Sequence, residues 1–512
     1  MKFSRVILTV LLFSLIAVSF SFAAKDTVVV AMMQEPSKLD PITYQDAVTS
    51  IVLSQITDPL IEVTTNGNYT TEGSVLESFS ISPDAKVYTF KVKKGLTFHN
   101  GEPLTAEDIK FTYEALKNPE LGSPHRKYYE DIEKIELVDE YTLKVYLKKP
   151  NVIFLATAKL RGHVLPKDYI EKVGWDGYMQ HPIGSGPYKF VRYIKGQEIV
   201  LTANENYWGK KPKIKNLVFK FYPESASVVM ALQTKEVDYV IGLPAEDFKM
   251  LRETAADILK FGTYAEFADH RIVFNKRPDC IFHDVRLRKA IAYAINIDEM
   301  IAVSRGDMAV KAIGRIPNFH AAFSPDVPTF EYNPEKAKEL MKEAGYPDGF
   351  KTKVYVASSA QEAILEAQIM QQQLKKVGID LEIVTLEWGI YLDVTAEGEA
   401  PMFIENWHAS GSLPSPYTFV EIWHSKSGWN PVFGTYYNPK VDELVDKIKV
   451  TVDPEERWKL YREVQKIALG DVVCIPLYWP IVGIAYNNEL NIPEELFNAF
   501  KIPHYHINEW SF

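Results

Sequence analysis

The stretch FIENWHASGSLPSP, Phe403 to Pro416, gathers the residues best suited to hold a ligand. A short apolar run ends at Trp407 and dissolves into Ser, Gly and Pro, the pattern of a strand that delivers a ring to a loop. Asn406, His408, Ser410 and Ser412 surround the indole with neutral donors and acceptors. A flat ring can lie on C–H faces while amides and hydroxyls take hydrogen bonds, which is recognition rather than bond breaking. Catalytic signatures are missing: there is no G-x-S-x-G elbow and no Walker A sequence. IGSGPY, Ile183 to Tyr188, lacks the third glycine of a dinucleotide loop and reads as a turn. HYH, His504 to His506, sits near the C-terminus without a nearby Cys and is not read as a metal site. Glu107-Asp108 reads as a solvated helix start. No catalytic residue, metal or cofactor is assigned.

The elements that must position such a loop alternate. DTVVVAM (26–32), KVYTFKV (86–92), YTLKVYL (141–147), EIVLTAN (198–204), NLVFKFYP (216–223), TKVYVAS (352–358) and DLEIVTL (380–386) have strand composition and length. Between them run punctuated helices. Asn333 caps NPEKAKELMKEAG, with Ala337, Leu340, Met341 and Ala344 as its stripe. Ala363, Ala367, Met370, Leu374 and Val377 share a face, and Asp453 with Glu456 opens a third helix. Helix and strand in alternation predict α/β layers. At 512 residues the chain needs two or three domains, yet no Gly/Ser linker separates them, so the chain is expected to cross between lobes more than once. A net charge of -10 argues against a nucleic-acid partner. Lys2, Arg5, the apolar run Val6–Phe22 and the small residues near Ala23 read as a signal peptide over 1–23, with no lipoprotein Cys beside it. Cys280 and Cys474 could pair outside the cytoplasm, but a buried free thiol at Cys474 is the plainer reading.

Four stretches, in order, resemble the family 5 extracellular solute-binding proteins of the oligopeptide/dipeptide/nickel ABC importers. They are LTFHNGEPLTAEDIKFTYEAL (96–116), Pro182 to Glu224, FHDVRLRKAIAYAINIDEMI (282–301) and YNPEKAKELMKEAGYPDGF (332–350). The resemblance implies an α/β bilobal periplasmic-binding-protein type II fold with an extra domain inserted in lobe I. By position, lobe I is 25–47, 183–271 and 482–512, the insert is 48–182, and lobe II is 272–481. It also implies a monomer that works in the periplasm or otherwise outside the cytoplasm and hands its ligand to ABC permease subunits.

Site residues follow from the same resemblance. Trp407 matches a Trp in lobe II's cleft wall, and Trp388 a second one. Ser410 stands where peptide binders carry an Asp for the ligand's ammonium. Thr395 and Ile404 stand where they can carry Arg. Glu35 matches a ligand-facing position, and His125 a place where peptide binders often have Tyr. His270 and Arg271 lie near the crossing between lobes. Trp423, Trp429 and Trp479 either extend the cleft or fill the core. With its charged anchors replaced by neutral groups, the site is expected to take an oligosaccharide, since a buried ammonium without a carboxylate costs several kcal/mol. The alternative within the family is an oligopeptide or dipeptide. Two readings from other classes are an enzyme on the same fold, which needs a converging nucleophile and base, and a scaffold, which needs an exposed apolar patch.

Overall fold

The computed structural model describes the backbone of residues 25–161, 163–408 and 415–512; the side chains of 160, 161 and 406–408 lie outside that description. The expected signal peptide, Ser410 and Ser412 also lie outside the described residues.

The first lobe is built on the strand Thr27–Met32, whose β-branched run suits a centre buried on both faces. It pairs in parallel with Asn216–Phe221 on one side and Tyr239–Ile241 on the other. Glu198–Ala203 and Tyr188–Ile194 continue the sheet antiparallel. Helix Ala47–Ile56 starts at Asp46, whose carboxylate accepts from Thr49 N–H. Its Ile51, Val52 and Ile56 pack on Val28, Val30 and Phe219.

In the second lobe, Phe350–Ala357 and Ile379–Leu386 run parallel. Ala268–Phe274 lies between Met402–His408 and the long strand Cys474–Asn487, antiparallel to both. Alternation divides its side chains. Ile272 and Phe274 meet helices Val285–Ala294, Pro334–Glu343 and Gln361–Lys375, while Val273 meets Pro439–Val450 and Pro454–Gly470.

The lobes share one strand. Cys474–Tyr478 pairs with Ala268–Phe274, and Ile481–Asn487 pairs with Leu259–Ala265. The chain therefore crosses at Glu266–Phe267 and again at Trp479–Pro480. The first crossing falls earlier than the expected 271/272 boundary. DHRIVF is apolar enough to be a central strand, and all seven residues of Ala268–Phe274 are buried. Helix Ala47–Ile56, expected in the insert, packs in the core of the first lobe instead.

The inserted region has its own four-stranded sheet, ordered Leu76–Ile81, Val87–Val92, Thr142–Leu147, Ile132–Asp139. Helices Ala106–Lys117 and Lys167–Gln180 cover a core containing Phe90, Ile109, Leu143, Val145 and Tyr178. Thr105 and Asp108 form a complete capping box. The turn IGSGPY closes this region onto the first lobe. A Cβ at Gly184 would lie 2.3 Å from the Ile56 carbonyl oxygen, and one at Gly186 would lie 2.6 Å from the Ile56 carbonyl carbon. These glycines are there for backbone approach, not for phosphate.

Arg288, in DVRLRKAIAYAIN, is buried. Its guanidinium donates to the carbonyls of Asp471 and Val472, which follow the helix Pro454–Gly470, and of Phe282 and His283, which precede the helix Val285–Ala294. Cys280 and Cys474 are both free thiols, Cys474 buried, with burial pushing its pKa up to about 11.

Candidate functional site

A cavity of about 1050 Å³ opens at the carboxyl ends of the parallel strands of the first lobe. Met33 and Gln34 follow Thr27–Met32, Pro223 follows Asn216–Phe221, and Gly242 follows Tyr239–Ile241; all four line it. Carboxyl ends of parallel strands are where open α/β sheets leave a crevice, and the size suits a small ligand. The start of helix Ala47–Ile56 forms one wall, and the tail 499–509 another. Tyr264, Glu266 and Phe267, at the crossing between the lobes, line the cavity beside Val482–Ile484. A more open depression of about 650 Å³, around Lys91, Lys93 and Lys94 of the inserted region and Trp208 of the first lobe, adjoins it; Trp208 lines both.

The polar lining is ordered. Asp58 is buried and accepts from Tyr207 Oη (2.8 Å) and Trp208 Nε1 (2.7 Å). Burial outweighs both bonds and pushes its pKa up to about 6. Glu62 is buried too, but Lys159 Nζ at 2.7 Å reverses the sign: burial would raise its pKa, and the ammonium holds it below the ordinary value. Lys210 Nζ bonds Glu509 at 2.6 Å. His163 Nδ1 lies 2.7 Å from Thr57 Oγ1. His504 Nδ1 lies 3.2 Å from Tyr239 Oη, and burial depresses His504 to about 3 and His506 to about 4. The HYH pair is thus neutral cavity lining rather than part of an exposed terminus. Apolar surface comes from Val48, Ile51, Phe267 and Phe500, the last two with ring centroids 5.4 Å apart. Among the described residues no group of His, Cys, Asp and Glu is arranged to hold a metal ion.

The residues singled out in the sequence are placed apart. Asn406, Trp407 and His408 end the strand Met402–His408, in register with His270, Asp269 and Ala268; their side chains, and Ser410 altogether, lie outside the described residues. His270 and Arg271 are not cavity residues. His270 is buried in the second lobe, stacked on Tyr478 at 4.4 Å, with Nδ1 3.2 Å from Glu366 Oε1. Arg271 is buried between Asp269 (2.8 Å) and Glu405. The physical reason is shared: both sit on a central strand, where side chains enter the lobe's two cores. Glu35 turns to the neighbouring hairpin, where its Oε1 accepts from Tyr193 Oη and Gly196 N–H, each at 2.7 Å. His125 is buried with Nε2 2.9 Å from the Tyr44 carbonyl oxygen. Trp388 opens helix Trp388–Glu397, is 47% exposed and stacks on Tyr391 at 5.7 Å. Trp423 and Trp479 are core, whereas Trp429 is exposed with Lys127 Nζ over its ring.

Sequence reading missed Asp58, the Glu62–Lys159 pair and the hinge residues. The Tyr207-Trp208 pair within NYWGKK was the available signal, since a buried Tyr O–H or Trp N–H needs an acceptor.

The chain is similar to known proteins over most of its length. The family model described as "Bacterial extracellular solute-binding proteins, family 5 Middle" matches residues 70–431. The chain is 26% identical over 507 residues to Di/tripeptide-binding protein 2 of Pseudomonas aeruginosa, covering 92% of this chain and 93% of that one. It is 28% identical over 481 residues to the glutathione-binding protein GsiB of Salmonella choleraesuis, covering 91% of each. Among solved structures, the periplasmic binding protein DppA of Helicobacter pylori in complex with the peptide STSA aligns with a TM-score of 0.73 and 27% identity, over 96% of this chain and 98% of that one.

Proposed function

The chain belongs to the bacterial extracellular solute-binding proteins of family 5, and from that premise we propose that it captures a short peptide and delivers it to the permease of an ABC importer. The observation that carries this reading is the charge of the cavity. Its lining holds groups of both signs, with Glu62 and Lys159 paired to each other and Asp58, Glu266 and Lys501 beside them. A zwitterion gains ion pairs from both signs, whereas a neutral sugar gains hydrogen bonds alone. The names of the relatives, peptide and glutathione binders, favour the same choice over an oligosaccharide. The absence of an acid at position 410 loses its force once acids enter from the first lobe and the hinge.

Capture works by closure. A ligand resting on Tyr264, Glu266 and Phe267 touches the segment where the lobes join, so it binds the two hinge states unequally and shifts their populations. The leader over 1–23 would export the chain to meet its ligand outside the cytoplasm. Among the described residues no helix is long and apolar enough to cross a membrane.

The test is a thermal-shift panel of di- to pentapeptides beside neutral oligosaccharides. Specific binding raises the melting temperature by mass action. Peptides are expected to raise it. A rise with one sugar class alone would return the site to the oligosaccharide reading.

A further inference from the structure

We propose that Lys501 is the cation that receives a free carboxylate of the captured ligand, an inference that rests on the peptide reading above. A carboxylate taken out of water keeps its charge cheaply only beside a cation or several donors, and most basic groups of the lining are engaged. Lys159 Nζ pairs with Glu62 at 2.7 Å, and Lys210 Nζ with Glu509 at 2.6 Å. His163 Nδ1 is taken by Thr57 Oγ1 at 2.7 Å. His504 and His506 are kept neutral by burial.

Lys501 differs. It is half-buried in the lining, and among the described residues no carboxylate lies within ion-pair distance of its Nζ. Its charge reaches inward: it adds to burial and to Lys159 in keeping the buried His506 ring neutral. A half-buried ammonium without a counter-ion has lost part of its hydration, so it gains more from an incoming carboxylate than a lysine already paired. The backbone that carries it is fixed. Lys501 N–H donates to the Asn498 carbonyl oxygen at 3.0 Å, and Asn498 Nδ2 donates to the Thr65 carbonyl oxygen of the inserted region at 3.3 Å. The preceding ring, Phe500, lines the cavity with its centroid 5.4 Å from that of Phe267 at the crossing and 5.8 Å from that of Phe319 in the second lobe. The tail therefore presents this ammonium where the inserted region and the two lobes meet. The ligand class that follows is a molecule with a free carboxylate; C-terminally amidated peptides are poor ligands.

The experiment compares di- to pentapeptides bearing a free C-terminal carboxylate with their C-terminal amides by calorimetry, on the mature protein and on Lys501→Gln. Expected: the natural protein prefers the free acids at least tenfold, and Lys501→Gln brings the two series level by weakening only the free acids. Circular dichroism checks the fold of the variant; should Lys501→Gln not fold, Lys501→Ala removes the same charge and answers the same question. If the uncharged variant keeps the full preference, Lys501 is not the anchor and the peptide reading stands. If the natural protein binds acids and amides equally, no cation reads the carboxylate and the inference falls while the peptide reading stands. If the natural protein binds neither series, the peptide reading fails and this inference goes with it.

Discussion

The Arg315 guanidinium grips Asp269 with two hydrogen bonds, Nε to Oδ2 at 2.8 Å and Nη2 to Oδ1 at 3.1 Å. Arg271 Nη1 reaches the same Oδ1 at 2.8 Å and pairs through Nη2 with Glu405, so two cations and two anions cancel inside the second lobe. Burial alone would raise the Asp269 pKa; the two arginines hold it below the ordinary value. This network explains why Arg271 is unavailable to a ligand.

Removing one member should therefore be costly. Asp269→Asn leaves two buried guanidinium groups facing one carboxylate and is expected to destabilise the fold by about 3–5 kcal/mol. Urea unfolding of the variant checks this. A loss below about 1 kcal/mol would mean that water reaches the cluster and the pairing matters little.

Acid should weaken the protein well above the carboxylate range. Burial depresses His99 and His506 to about 4 and His320 and His504 to about 3, against an ordinary 6.5. The unfolded chain takes up protons below that ordinary value while the native one does not, so stability falls as pH drops from about 6.5 toward 4, by on the order of 3 kcal/mol per histidine. Asp58 acts oppositely: its native pKa of about 6 lies above the unfolded value, so its contribution grows as pH falls through 6. Melting temperatures across this range should decline, less steeply in His320→Gln and more steeply in Asp58→Asn. A flat profile between about pH 7 and 4.5 contradicts this account.

Gly186→Ala tests the seam between the first lobe and the insert. The new methyl would meet Ile56 backbone atoms at 2.6 and 2.7 Å, which no rotamer can relieve. A loss of about 1–3 kcal/mol is expected. Gly101→Ala serves as a contrast: no atom crowds its Cβ position, though its φ of 89° still carries strain. Equal tolerance of both alanines would rule out the close approach as the reason for Gly186.

Two aromatic substitutions separate the cavity from the second lobe's rim. Phe500→Ala removes lining surface and is expected to weaken peptide binding roughly tenfold, about 1.4 kcal/mol. Trp388→Ala, at a half-exposed helix start away from the cavity, should leave affinity within about twofold and stability within about 0.5 kcal/mol. The opposite ranking in calorimetry would move the ligand toward Trp388.

The elements were legible because their signals are local. TVVVAM and LEIVTL pair as strands; Asn333 and Asp453 cap their helices, accepting from Lys336 N–H and Glu456 N–H. The site was much less so. Glu35 matched a ligand-facing position, but nothing near it in sequence announces Tyr193 and Gly196 as the groups that occupy it. His270 and Arg271 stand beside the crossing in sequence, but the chain crosses before them, which puts both inside the second lobe.

The sequence by itself determined the family, the α/β alternation, the repeated crossing between lobes and the lack of a catalytic signature, since motif order, periodicity and capping need no long-range information. Only the tertiary structure decided which residues share the cavity, because it is assembled from segments as distant as Met33, Lys159, Glu266 and His504. It also decided which charges are spoken for. Whether a buried carboxylate meets an arginine, a tyrosine or a ligand depends on neighbours hundreds of residues away, and pairing across that distance leaves no spacing to read.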